Sequence, residues 1–148
     1  MGDSFAALNE LLSRNLDLAQ TGTPASTKLI AEAERFLGLQ FDEPFRKYLA
    51  TWGTLSFGPL EFYGLTDSNF ENGCVPNAVW FTAANRKQVG LPHHLIAIFD
   101  NDGDEFYCLD SSSGGVVVIW DVITRSVRAN KAPNILEMIY REALGFLP

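Results

Sequence analysis

Apolar residues recur at helical spacing through the first fifty or so positions and bunch into short unbroken runs later, so helices come first and a sheet follows. Phe5, Leu8, Leu12 and Leu16 share one helical face behind Asp3, a natural N-cap, and predict a helix from Ser4 to Leu18. Thr21-Gly22-Thr23-Pro24 interrupts it. A second helix is expected from Pro24 to Leu37, with Thr23 as cap, Ile30, Ala33 and Leu37 facing inward, and Gly38 ending it. Asp42-Glu43-Pro44 opens a third, carrying Phe45, Tyr48, Leu49 and Trp52 up to Gly53.

Strand-sized runs take over from there. Leu55 to Phe57 and Leu60 to Tyr63 flank Gly58-Pro59, which suits an edge or bulged pair. A polar loop from Thr66 to Gly73 leads to a helix over Pro76 to Gln88, stopped by Gly90. Leu95 to Phe99, Phe106 to Leu109 and Val116 to Trp120 read as buried strands, and their short links call for antiparallel pairing. The second link, Ser111 to Gly115, reads as a flexible loop, and Pro133 to Leu144 as a final helix. This order predicts an α+β fold: one domain over residues 1–148, mainly an antiparallel sheet of about four to six strands flanked by helices.

Hydrophobic residues at 47% and charged residues at 20% fit a globular protein and exclude disordered and fibrous classes. No apolar run reaches the roughly 18 residues of a membrane span, and the start lacks the basic and apolar regions of a secretory signal. Two cysteines, Cys74 and Cys108, make no disulfide framework, so a cytoplasmic location with reduced thiols is expected.

Charge sharpens the picture. The net charge is −7, which repels nucleic acid and anionic lipid, so neither is expected as a partner. Residues 48–124 hold nine acids against Arg86 and Lys87 alone, whereas the flanking segments hold nine of each sign. The middle segment is either a solubilising surface or a docking face for a basic protein.

Asp100-Asn101-Asp102-Gly103-Asp104-Glu105 invites comparison with a calcium loop. The match fails at its sixth position, where Glu105 replaces the glycine, and at its twelfth, where Ser111 replaces the bidentate glutamate. A hairpin turn explains the same residues, because Asn, Asp and Gly tolerate positive φ. His93-His94 lacks metal-ligand spacing, and nothing around Cys74 or Cys108 marks a nucleophile. Trp52 and Trp120 fall at core positions; Trp80 and Phe81, adjacent on a helix, cannot both point inward, so one should line a groove. The chain therefore reads as a binding module, not an enzyme, with no catalytic residues, metal or cofactor.

Several segments in order resemble the SUKH superfamily, which includes fungal cell-wall-assembly regulators and bacterial immunity proteins. They are Ile30 to Gly38, Phe41 to Leu49 with Gly53, Phe62-Tyr63-Gly64-Leu65, Ile98 to Gly103 followed by Tyr107-Cys108-Leu109-Asp110, and Trp120-Asp121. Asp42-Glu43-Pro44 departs from the family's usual Leu-Pro at the third helix. The resemblance implies an immunity protein that occludes a toxin domain delivered by a neighbouring cell, a basic nuclease being the expected partner. It also admits a regulatory scaffold like the fungal relatives. The residues expected to meet the partner are Asp100, Asp102, Asp104 and Glu105, with Glu61, Asp67 and Glu71 in support.

Overall fold

Among the described residues, all five α-helices begin at a side chain that accepts the first free backbone N–H groups, the usual way of satisfying donors that have no partner within the helix. The computed structural model describes residues 3–148. Helix α1 (Ser4–Ser13) is capped by Asp3, α2 (Thr27–Leu37) by Ser26, α3 (Glu43–Trp52) by Asp42, α4 (Ala78–Gln88) by Asn77 and α5 (Ile135–Phe146) by Asn134.

Two of these boundaries correct the sequence reading. The first helix stops at Ser13, and Leu16, expected on its buried face, is 78% exposed. Asn15 turns the chain there: its amide donates to Leu11 O, and its own carbonyl accepts from Leu18 and Ala19 N–H. The second helix starts at Thr27 rather than Pro24, because Gly22 N–H is drawn to Thr54 O and Ala25 N–H to Leu49 O. Ser26, not Thr23, therefore caps it.

Among the described residues, seven strands form two antiparallel sheets rather than one. The smaller sheet has the order β1 (Ala19–Thr21), β2 (Leu55–Phe57), β3 (Leu60–Phe62), with Gln20, Ser56 and Glu61 in one cross-strand row. The larger is a meander of β4 (Leu95–Asn101), β5 (Glu105–Asp110), β6 (Val116–Asp121) and β7 (Ser126–Ala132). Strand β7 went unforeseen because Ser126 to Asn130 are all exposed and carry no apolar alternation. The expected flexible loop at Ser111–Ser113 is a 3-10 turn capped by Asp110.

Alternating side chains of the meander engage helices on opposite faces. Phe106 meets Phe81 of α4 edge to face at 5.0 Å, and Thr82 of α4 accepts the N–H of Ala97. On the other face Tyr107 stacks on Phe99 and lies under the Lys131 ammonium, which reaches Glu142 of α5. Helix α5 is the common neighbour of α1, α3, β3, β6 and β7, and buries Ile135, Met138 and Ile139 completely. Burying each such side chain contributes about 1.5–3 kcal/mol.

The small sheet is fixed to the rest by backbone contacts that only glycine allows. A Cβ on Gly64 would lie 1.8 Å from Gly53 O, the atom that accepts Leu65 N–H. The fully buried Tyr48 hydroxyl donates to Phe62 O and Tyr63 O beside this contact. Tyr63 N–H continues to Ile98 O, linking β3 to β4.

Candidate functional site

The acidic turn between β4 and β5 is a hairpin tip whose geometry follows from its residues. Asp102 takes a left-handed φ of 55° and Gly103 one of 79°, conformations favoured for Asp and Gly. The Asp100 carboxylate accepts Gly103 N–H at 2.8 Å, and Asp104 N–H donates to Asn101 O. The Asn101 amide donates to Glu105 Oε1 at 3.0 Å.

The β5–β6 register places Glu105 opposite Asp121. Those two join Asp102, Asp104, Asn101, Ile123 and Arg128 around a cleft of about 430 Å³. Arg128 of β7 forms an ion pair with Glu105, whose side chain is only 14% exposed. Four carboxylates thus line a cleft that holds one guanidinium, and among the described residues Asp102, Asp104 and Asp121 form no ion pair. Asp121 accepts the N–H groups of Ile123 and Thr124, and the Thr124 bond in particular, aided by Ile123 and the Arg128 charge, holds its carboxyl below the ordinary range.

The seven acids expected to act together are not all gathered at this cleft. Asp102, Asp104 and Glu105 are. Asp100 points to the other side of the hairpin, lining an apolar groove of about 440 Å³ with Val75, Trp80, Phe81, Phe106 and Gly103. Glu61 lines a cleft over the small sheet, and Glu71 lines a smaller one with Phe36, Trp80 and Lys87. Asp67 closes a local turn by accepting Asn69 N–H. Glu105 is internally paired, so its charge is partly spent inside the protein.

Two members of this region escaped the sequence reading. Asp121 is the first. The β5–β6 pairing across the 111–115 link would have placed it opposite Glu105 once Asp110 was matched to Val116. Arg128 is the second, and its position required the unforeseen β7. Trp80 fills the expected role of groove-lining ring, half-buried while its neighbour Phe81 is buried.

The two cysteines differ in their surroundings. Cys108 is fully buried, and burial pushes its thiol far above its ordinary pKa; Cys74 is exposed. Among the described residues no group of three or more His, Cys, Asp or Glu side chains is arranged to hold a metal ion, and no helix is long and apolar enough to cross a membrane.

No curated protein matches the sequence. A crystal structure of a protein from Pseudomonas syringae pv. tomato superposes with a TM-score of 0.67 at 20% identity, covering 93% of this chain and 96% of that one. At that identity the likeness speaks for the fold alone. The sequence matches the SUKH_5 family, described as SMI1-KNR4 cell-wall, over residues 6–144, which include every SUKH-like segment found by inspection. With the meander, its acidic hairpin and the paired glycines Gly53 and Gly64 all within that span, the chain belongs to the SMI1-KNR4 family of the SUKH superfamily.

Proposed function

We propose that the chain is a cytoplasmic immunity protein that binds and neutralises a bacterial toxin domain, a basic nuclease in particular, through the acidic end of its meander. The observation that carries this reading is the cleft where Asp102, Asp104, Glu105 and Asp121 meet a single guanidinium. Carboxylates at an exposed tip repel one another by about 1 kcal/mol or less per pair in water. A Lys- or Arg-rich surface relieves that repulsion, and complementary charge speeds association about 10- to 1,000-fold at low salt. Nucleases carry such surfaces to hold phosphates, so an acidic binder competes for the same groups.

The test is co-purification with a basic toxin domain encoded next to this chain, comparing the parent with the double variant Asp102→Lys, Asp104→Lys. Association should slow at least about tenfold at low salt and lose much of its salt dependence. Unchanged binding and unchanged salt response would overturn the assignment of the cleft.

The family's cell-wall description favours a second reading, a non-catalytic regulatory module that holds a cellular partner. A gene neighbourhood without a toxin, together with capture of an endogenous partner through the same tip, would select it.

A further inference from the structure

The clearest unassigned cavity lies over the small sheet. Its floor is the cross-strand row Gln20, Ser56 and Glu61, its side is the hydroxyl of Thr54, and its rim is Val75 and Pro76, enclosing about 390 Å³. Every polar group on the floor and side is uncharged except Glu61, and among the described residues Glu61 has no cationic partner. Val75, 41% exposed, also lines the apolar groove of Trp80 and Asp100. This mixed cleft and the apolar groove therefore lie side by side with Val75 as the divider. Tyr63 sits between the two carboxylates: burial chiefly, then the charges of Asp100 and Glu61, push its phenol up to about 12.

We infer that this pair of cavities is a two-part docking site for a partner segment with an apolar side chain beside an arginine or lysine. The apolar side chain fills the groove against Trp80, and the cationic head reaches Glu61 with its stem along Val75 and Pro76. The inference rests on the basic partner proposed above and names where, beyond the hairpin tip, such a partner is gripped. Charge selects the occupant. A carboxylate without an internal cation, beside uncharged groups that can also accept, favours a cationic head over an anionic or neutral one. The aliphatic stems of Arg and Lys can cover apolar surface such as that of Val75 while their charged ends remain polar-bound.

The test is an NMR titration of the full chain with acetyl-Leu-Arg-amide, against acetyl-Leu-citrulline-amide as the neutral isostere. Amide shifts should concentrate at Ser56, Glu61 and Val75, with the Trp80 indole moving as well. Glu61→Gln, an exposed and fold-neutral change, should weaken the arginine peptide about fivefold and leave the citrulline peptide unaffected. Trp80→Ala should weaken both. Equal binding of the two peptides, shifts confined to residues 102–105, or no shifts at all would overturn the inference. Capture of a toxin by a chain that ignores the peptides sinks the docking site and leaves the immunity reading standing. Site-specific peptide binding with no toxin captured does the reverse.

Discussion

Glu105 stands directly across the β5–β6 ladder from Asp121, two carboxylates in register at the open end of the meander. Like charges directly opposite in a sheet are destabilising, and the Arg128 guanidinium on β7 compensates them by pairing with the more buried of the two. Arg128→Ala should cost about 1–2 kcal/mol, more than an ordinary surface pair, because it leaves a mostly buried carboxylate without its cation. Glu105→Gln in the same background should recover much of the loss, and urea unfolding of the double-mutant cycle measures the coupling.

Asp121 also gives the fold a dependence on acid. Its carboxyl is held below the ordinary aspartate value, so the folded state binds that proton less readily than the unfolded chain. The stability it contributes is present above about pH 4 and is lost as pH falls through the folded value. Asp110 acts in the same direction: burial raises it, but the hydroxyl and N–H of Ser112 outweigh that and leave it lowered. Asp121→Asn keeps an acceptor for the Ile123 and Thr124 amides and removes the titration. The gap in melting temperature between pH 7 and pH 3 should therefore shrink.

Asp42 works in the opposite sense. Its burial raises its carboxyl pKa, even as Phe45 N–H favours the charged form. A Cβ on Gly115 would fall 2.2 Å from the Asp42 carboxyl carbon, so the β5–β6 link closes over this cap and desolvates it. With the folded pKa raised, the carboxylate's burial penalty is fully present above the folded value and eases as pH falls through it. Asp42→Asn, an equally good cap, should match or exceed the parent's stability at pH 7, whereas Asp42→Ala should lose about 1 kcal/mol. Thermal melts of the two variants separate capping from charge.

Trp120 is fully buried, yet its indole N–H has no hydrogen-bond partner among the described residues. Part of what its packing contributes offsets the cost of burying that donor, about 1–3 kcal/mol. Trp120→Phe keeps the stacking on Phe106 and removes the donor, so it should cost under about 1.5 kcal/mol. Trp120→Ala should cost about 3–5 kcal/mol. Denaturant midpoints at constant slope measure both.

The α+β class, the central strands and five helix ends were legible because they rest on local rules: apolar runs, Asp42 before Pro44, Gly38 after Leu37. Leu16 misled because side-chain competition by Asn15 outweighed a helical spacing that continued past it. Strand β7 was invisible because its exposed residues 126–130 carry no apolar alternation, and its ladder with β6 across a short link is interrupted by two register shifts. The candidate site failed to gather for a related reason. Sequence neighbours Asp100 and Asp102 lie on opposite sides of one hairpin, while Asp121, distant in sequence, faces Glu105.

Helix α5 touches α1, α3, β3, β6 and β7, elements drawn from nearly the whole length of the chain, and Ser4 donates its hydroxyl to Glu137 on it. During synthesis the faces of α1, α3, β3, β6 and β7 that pack on it must wait for this one segment before they close. Loop-closure entropy makes such late, distant contacts slow to form. Productive folding is then paced by the arrival of α5, and a ribosome-bound chain halted before Ile135 would display Phe57, Phe62 and Leu8 to the surrounding solvent.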